Sequence, residues 1–331
     1  ATMRAVVCTK YGPPEVLTLR TDYPVPVPKD NEVRVKIHAT SVTASDALIR
    51  WITNPKTNNV FLRGLLQMIF GFGRPRNPIL GMTCSGEVDA VGAKVTKFKP
   101  GDQVFAYGSV SAMDRRFGSY AEYICYPESW NLLPKPTNLT HQQCAAIPYG
   151  GFLGLHCIRQ SSSGRDDLTG KKVLIYGASG SIGTMALQLA RNMGATVTAV
   201  CSIGNFELVK SLGADKAVDY NASDAVAQLD TYDIIVDCVG AQKTSALKKH
   251  LAAKKSPALA KGGKYFSIDD NVPQTIPADF AKLREMAEAG NLTPVIDKCF
   301  PLEKMAEAHA YVDQGHKKGN VVISVMQEQA D

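Results

Sequence analysis

Between Glu32 and Ala39 the chain alternates strictly, with Val33, Val35, Ile37 and Ala39 set against Arg34, Lys36 and His38. A two-residue period of this kind predicts a strand with one buried face. Met3–Thr9, Ser85–Ala90, Gln103–Ala106 and Tyr120–Tyr126 read as further strands. Turn signals separate them: Gly12-Pro13-Pro14, the prolines at 24, 26 and 28, and Pro100-Gly101-Asp102. Many short strands with Gly/Pro turns predict a compact, barrel-like β domain. The apolar stretch 61–70 interrupts the pattern and predicts a short helix. Its periodicity favours a helix capping the β domain's own core. A lid over a cleft is the open alternative. The stretch is too short to span a membrane.

From Thr140 the period changes. The apolar run Val173-Leu174-Ile175-Tyr176 leads into Gly177, Gly180 and Gly183, and then into a helical stripe of Ile182, Met185, Ala186, Leu189 and Ala190. Alternating segments follow: Thr196–Cys201, Phe206–Leu212, Lys216–Asp219, Ala222–Leu229 as a helix, Ile234–Cys238, a lysine-rich helix near 243–254, and Lys264–Ile268. Strands alternating with helices predict a doubly wound parallel sheet with right-handed crossovers. Helices at Phe280–Ala289 and Leu302–Gln314 precede a last strand, Asn320–Val325, which again suits the β domain. The α/β unit is therefore expected to be inserted between two parts of the first domain. The expected boundaries are 1–125 with 293–331 for the β domain and 126–292 for the parallel sheet. Only Asp269 to Pro277 lies between Lys264–Ile268 and the next helix, and Pro273 and Pro277 interrupt it. Proline supplies no ladder donor, so the sheet is expected to be truncated at five strands.

The strand–glycine–helix succession carries the chemistry. It aims the backbone N–H groups of Gly177, Ala178, Ser179, Gly180, Ser181, Ile182 and Gly183 at one point, where the positive end of the helix dipole favours a pyrophosphate. The spacing is G-x-x-G-x-x-G rather than the commoner G-x-G-x-x-G, and the flanking strand and helix supply the context that such a motif needs. A dinucleotide-binding turn is thus expected.

Composition narrows the class. With 331 residues, 45% apolar and 21% charged, the chain is a globular protein long enough for two cores. The 37 basic and 31 acidic residues, a net +6, are spread along the chain, so nucleic acid is not expected as a partner. Eight cysteines without a C-x-x-C pair argue against a disulfide framework and a cysteine-rich zinc site, and for a reducing cytoplasm. There is no charged-then-apolar leader and no apolar run near 18 residues, so no membrane partner is expected. Ala1-Thr2 reads as a cloning remnant before Met3.

Together the motifs Met3-Arg4-Ala5-Val6-Val7, Gly12-Pro13-Pro14-Glu15-Val16-Leu17, Gly101-Asp102-Gln103-Val104, Gly118-Ser119-Tyr120-Ala121-Glu122-Tyr123, Leu212-Gly213-Ala214-Asp215, Asp237-Cys238-Val239-Gly240 and Gly262-Gly263-Lys264-Tyr265 span almost the whole chain. With the glycine turn, they resemble the zinc-independent medium-chain dehydrogenase/reductases of the quinone oxidoreductase branch. The resemblance implies a GroES-like β domain joined to a Rossmann domain, with the active site in the cleft between them. It implies an NADPH-dependent reductase acting on a small quinone or α,β-unsaturated carbonyl. An alkenal or enoyl double-bond reductase is the near alternative, and a crystallin-like binding protein the distant one. The family usually pairs subunits through an edge strand, and the truncated sheet makes a monomer the expectation here.

Zinc-bearing relatives place Cys, His and Glu where this chain has Thr43, Met82 and Thr83, which cannot replace soft or imidazole ligands. No metal is therefore expected. Hydrogen-bond donors must then meet the charge that gathers on the acceptor oxygen. By family position, Thr43 is a candidate donor, although relatives usually carry Asn there. Asp46 is kept, either as part of the site or as a residue orienting its loop. Tyr149 falls where the family's domains join, as a pocket wall, a proton donor or a packed aromatic. Ser202 stands 19 residues past Gly183 (202 − 183 = 19) where NAD-specific sites carry a carboxylate. A hydroxyl there donates to a 2′-phosphate, so NADPH is the expected cofactor. Tyr220 matches a position contacting the same phosphate, and Asn205 stands where relatives often have Lys. Cys238, Val239, Gly240 and Ser267 complete the expected cofactor contacts. The six histidines form no metal-ligand pattern and read as surface or satisfied core residues.

Overall fold

The computed structural model describes residues 1–54, 60–109, 116–164, 166–240, 245–253, 256–270 and 277–326. Two compact units emerge. One comprises Ala1–Pro148, Thr275–Arg284 and Ile296–Asp331, the other Tyr149–Gln274 and Glu285–Val295.

The first unit holds β1 (Thr2–Cys8), β2 (Leu17–Pro24), β3 (Glu32–Val42), β4 (Thr83–Val91), β5 (Gln103–Tyr107), β6 (Tyr123–Pro127) and β7 (Asn131–Pro134). Short helices α1 (Ala44–Arg50), α2 (Val60–Phe70) and α3 (His141–Ala145) join them. The 11-residue strand β3 pairs antiparallel with β4 and β6, and its inward residues Val33, Val35 and Ile37 are wholly buried. The alternation therefore predicted the buried face correctly.

The second unit begins with α4 (Pro148–Ser162) and holds β8 (Lys172–Tyr176), α5 (Ser181–Asn192), β9 (Thr196–Cys201), α6 (Phe206–Ser211), β10 (Lys216–Asp219), β11 (Tyr232–Asp237), α7 (Ala246–Leu251) and β12 (Leu259–Ser267). Its five described strands are all parallel in the order β10-β9-β8-β11-β12. Reversal of direction on either side of β8 makes the sheet doubly wound and puts the crevice at β8's C-terminal end. Helix α8 (Pro277–Glu288), β13 (Ile296–Pro301), α9 (Met305–Asp313) and β14 (Asn320–Ser324) complete the chain. Strand β14 pairs antiparallel with β3, through Val321↔Val42 and Val322↔Ser41, so the second unit is indeed an insertion. Among the described residues, no helix is long and apolar enough to cross a membrane.

Three details differ from the sequence reading. The first unit extends past residue 125 to Pro148, because β7 pairs with β5 and α3 packs on β3 and β4. It also takes in the start of α8, where Phe280 lies 4.4 Å from the Phe105 ring and Arg284 donates to Pro134 O. The boundary at 293 is thus replaced by alternation of segments between the units. Second, Ala222–Leu229 is a run of turns rather than a helix. Its bonds Ala222 N→Asp219 O, Ala225 N→Ala222 O and Leu229 N→Val226 O each span three residues. Asn221, Ser223 and Asp224 favour turns by bonding to nearby backbone. Third, α2 buries none of its residues fully: only its C-terminal end, through Phe70, packs on the core, while Phe61, Leu65 and Met68 stay exposed, so it caps the core in part.

Candidate nucleotide and acceptor sites

The glycine turn connects β8 to α5. Gly177 has φ +78°, and a Cβ there would lie 2.4 Å from the Val239 side chain. A Cβ on Gly183 would lie 2.1 Å from Gly177 O. These two glycines let the turn close on itself and on β11. Gly180, by contrast, would bring a Cβ only into ordinary contact, 3.5 Å from Gly177 O, and it caps α5 without a side chain. The missing bulk lies where backbone N–H groups begin the helix, the cradle that a pyrophosphate requires. The first turn of α5 also touches α4, since a Cβ on Gly150 would sit 2.3 Å from Ser181 O. This brings the backbone beside Tyr149 to the glycine turn. Tyr149 itself is buried.

The structure gathers three of the predicted polar residues. Asn205 Nδ2 donates to Ser179 Oγ at 3.0 Å and to Ser202 Oγ at 3.1 Å. Both serine oxygens accept from one amide, which leaves each hydroxyl proton to be donated onward. The cluster lies past the ends of β8 and β9, and no carboxylate ends β9. Tyr220 follows β10, and its ring is half-buried 6.3 Å from Tyr176 rather than joined to Ser202.

At the end of β11, Asp237 organises the next loop. It is 1% exposed. Its Oδ1 accepts from Val239 N at 2.9 Å and Gly240 N at 3.3 Å, and its Oδ2 from Tyr265 at 3.2 Å and Ser267 Oγ at 3.2 Å. Lys248 of α7 completes the set with Nζ 2.7 Å from Oδ2, and it also donates to Gly240 O. Ser267, expected to face the cofactor, gives its hydroxyl to Asp237. Cys238 is held far above its ordinary pKa by burial, with Cys157 and Asp237 adding to the effect, so it stays a thiol. Asp237 and Lys248 were absent from the sequence-predicted site. Asp237 stood in a quoted motif, and Lys248 in the lysine-rich helix near 243–254, to which no role was given.

In the first unit, Thr43 and Asp46 form a reciprocal capping box at the start of α1. Thr43 Oγ1 donates to Asp46 Oδ2 at 2.6 Å, Thr43 N donates to the same oxygen at 2.9 Å, and Gly81 N donates to Oδ1 at 3.2 Å. In this structure the single Thr43 proton is given to Asp46. Asp46 is wholly buried, and burial pushes its carboxyl up to about 6 against the opposing bonds from Thr43, Gly81 and Tyr120. Behind it runs a chain that sequence reading missed. Arg50 Nη1 donates to His309 Nδ1 at 2.9 Å, His309 Nε2 meets the Tyr120 hydroxyl at 3.1 Å, and Tyr120 bonds to Asp46. Arginine has no acceptor, so His309 carries its proton on Nε2. Burial and then Arg50 hold His309 well below its ordinary pKa, which keeps it neutral. Arg50 is 1% exposed and pairs with Asp313 at 2.6 Å. His309 is a satisfied core histidine, and so is His141, bonded to Ser85 at 2.7 Å and Gln103 at 2.8 Å.

The zinc-ligand positions are occupied by other bonds. Besides Thr43, Thr83 Oγ1 lies 2.7 Å from Ser41 Oγ and accepts from Ser41 N at 3.1 Å, while the Met82 side chain is buried.

Residues 29–137 match a family model described as the alcohol dehydrogenase GroES-like domain, and residues 212–323 one described as zinc-binding dehydrogenase. The chain is 33% identical to the mitochondrial NAD(P)H oxidoreductase RTN4IP1 of Bos taurus, over 98% of this chain and 89% of that protein. It is 30% identical to the chloroplastic NADPH-dependent alkenal/one oxidoreductase of Arabidopsis thaliana, over 97% of this chain and 79% of that one. Among solved structures, the quinone oxidoreductase of Coxiella burnetii aligns with a TM-score of 0.80 at 25% identity, over 98% of this chain and 100% of that one.

Proposed function

Because the chain belongs to the medium-chain dehydrogenase/reductase superfamily, in its quinone oxidoreductase-like branch, and is a nicotinamide-dependent oxidoreductase, we propose that its donor is NADPH and its acceptor a quinone or an α,β-unsaturated carbonyl. NADPH, when bound, supplies a hydride to an electrophilic carbon of the acceptor. The chain's own residues bind and orient. The N–H groups at the start of α5 take the pyrophosphate. Ser179 and Ser202, held by Asn205, donate to the 2′-phosphate. Asp237 shapes the Val239–Gly240 turn beside Gly177. On the acceptor side we assign Thr43, held by Asp46, and Tyr149. Eight unpaired thiols suit a reducing compartment, the cytoplasm in our reading.

The observation that carries the cofactor reading is the Ser179–Asn205–Ser202 cluster. A carboxylate at Ser202 would repel the 2′-phosphate and accept from ribose hydroxyls instead. Ser202→Asp is expected to weaken NADPH binding about ten- to hundredfold and to improve NADH binding, since charge-assisted hydrogen bonds are worth roughly 1.5–3 kcal/mol. Titration calorimetry reads both. Equal or tighter binding of NADH by the unmodified protein would overturn the assignment. NADPH oxidation against matched quinones and enals then separates the two acceptor classes, and turnover of neither would favour a binding protein.

The same reading needs no zinc. Activity is expected to survive exhaustive chelation, because Thr43 and Thr83 spend their oxygens on protein partners. Elemental analysis finding one tightly held zinc per chain would contradict it.

A further inference from the structure

Helix α2 is apolar on two sides: Leu66, Ile69 and Phe70 are half-buried, with Phe70 packed on the core, and a second apolar stripe faces outward. Phe61 is 90% exposed, Leu65 52% and Met68 59%, a spacing of four and three that makes one stripe. Val60 at its start is 75% exposed and Phe72 just beyond its end 70%. The polar residues Arg63 and Gln67 are less exposed than these. The helix is held in this attitude at its C-terminal end. Arg76 N donates to Phe70 O at 2.7 Å, Arg76 Nη2 to Met68 O at 2.8 Å, and Tyr11 to Gly71 O at 2.7 Å. Elsewhere the exposed large apolar side chains, Val27, Ile203 and Val226, stand singly, whereas here they form a contiguous stripe, which marks a contact surface.

The charge around the stripe selects the partner. From Ala47 to Gly86 the chain has no acidic residue, and besides the buried Arg50 it carries Lys56, Arg63, Arg74 and Arg76. Arg74 and Arg76 are exposed. With Thr9, Phe72 and Pro75 they line a cavity of about 490 Å³ at the C-terminal end of α2. Apolar residues on one face and arginines beside them are the pattern of a helix lying in a membrane interface. A second copy of the chain fits poorly. A two-fold contact through α2 would set the arginines of both copies on one small patch. A helix of 11 residues is about 16 Å long, too short to bury by itself the roughly 800 Å² per partner of a stable dimer.

We propose that α2 and the Arg74–Arg76 cavity form a docking surface for a bilayer bearing anionic headgroups. The apolar stripe enters the boundary between headgroups and acyl chains, and the arginines meet the headgroup phosphates. The expectation of no membrane partner came from the lack of a spanning-length run, which a helix lying on the surface does not need. The inference rests on this surface alone and not on the identity of cofactor or acceptor.

Flotation of the full chain with vesicles tests it. Binding is expected to vesicles of phosphatidylcholine mixed with phosphatidylglycerol, and weaker binding to phosphatidylcholine alone. Phe61→Ser combined with Leu65→Ser is expected to lower vesicle binding at least about tenfold. Arg74→Glu is expected to lower binding to the anionic vesicles about tenfold and leave the phosphatidylcholine result unchanged. An unchanged thermal midpoint confirms that each variant is folded. Absence of flotation with either vesicle, or flotation indifferent to these substitutions, would overturn the proposal. So would a dimer in sedimentation that dissociates on Phe61→Ser with Leu65→Ser, which would make α2 a contact between copies.

Discussion

Asp237→Ala is expected to destabilise the nucleotide-binding unit by about 3–5 kcal/mol and to weaken NADPH binding with it. The buried carboxylate accepts from five donors, two of them the backbone N–H groups of Val239 and Gly240. Its removal strands Lys248, whose side chain is only 10% exposed, next to hydroxyls that also lose their acceptor. An uncompensated buried charge costs far more than the pair contributes, which is why breaking a buried ion pair differs from replacing it. Asp237→Leu with Lys248→Met is therefore expected to recover much of the stability lost by Asp237→Ala. It should not recover cofactor affinity, because the Val239–Gly240 turn still lacks its acceptor. Hydrogen exchange on β11 and β12 reads the local loss without requiring two-state unfolding of the whole chain. A change under about 1 kcal/mol in Asp237→Ala would show that the network is not a structural keystone.

Asp46→Ala is expected to cost the first unit about 3–5 kcal/mol. Thr43 N, Gly81 N and the Tyr120 hydroxyl would be left in the interior without their acceptor, at roughly 1–3 kcal/mol for each such group before relaxation. The α1 cap is lost as well, worth about 1 kcal/mol. Asp46→Asn keeps the shape and isolates the charge. The folded carboxyl titrates at about 6, above the unfolded value near 3.9, so the folded state holds the proton more tightly. Below the unfolded value both states are protonated and the Asp46 contribution is fully present. As pH climbs from about 3.9 to about 6 the unfolded chain has released the proton and the folded one has not, so stability falls; above that it is level. The stability of wild type minus that of Asp46→Asn should trace this decline. A difference that is flat, or that rises with pH across the window, would mean that the bonds from Thr43, Gly81 and Tyr120 outweigh burial.

The nucleotide-binding unit was legible because its signals are local. A buried parallel strand is a short apolar run, and the glycine turn requires its residues at fixed spacing for steric reasons: Gly177 for a positive φ and Gly183 for contact with Gly177 O. The cluster of Ser179, Ser202 and Asn205 followed from the same register, since the ends of adjacent parallel strands bring their loops together. The domain boundary was harder to place. The pairing of β7 with β5 and the contact of Phe280 with Phe105 join residues far apart in sequence.

What the sequence determined by itself was the class of fold, the glycine turn between β8 and α5 and the lack of a carboxylate at Ser202, because each depends on residues within one strand–turn–helix unit. Tertiary structure alone decided the rest. The Arg50–His309–Tyr120–Asp46 chain draws on α1, α9 and the loop before β6, and no spacing rule links those segments. Tertiary structure also showed Thr43 as the cap of α1, bonded to Asp46. It also settled α2. Hydrophobic periodicity shows that a helix has an apolar face, but only packing decides whether that face meets the core or the solvent.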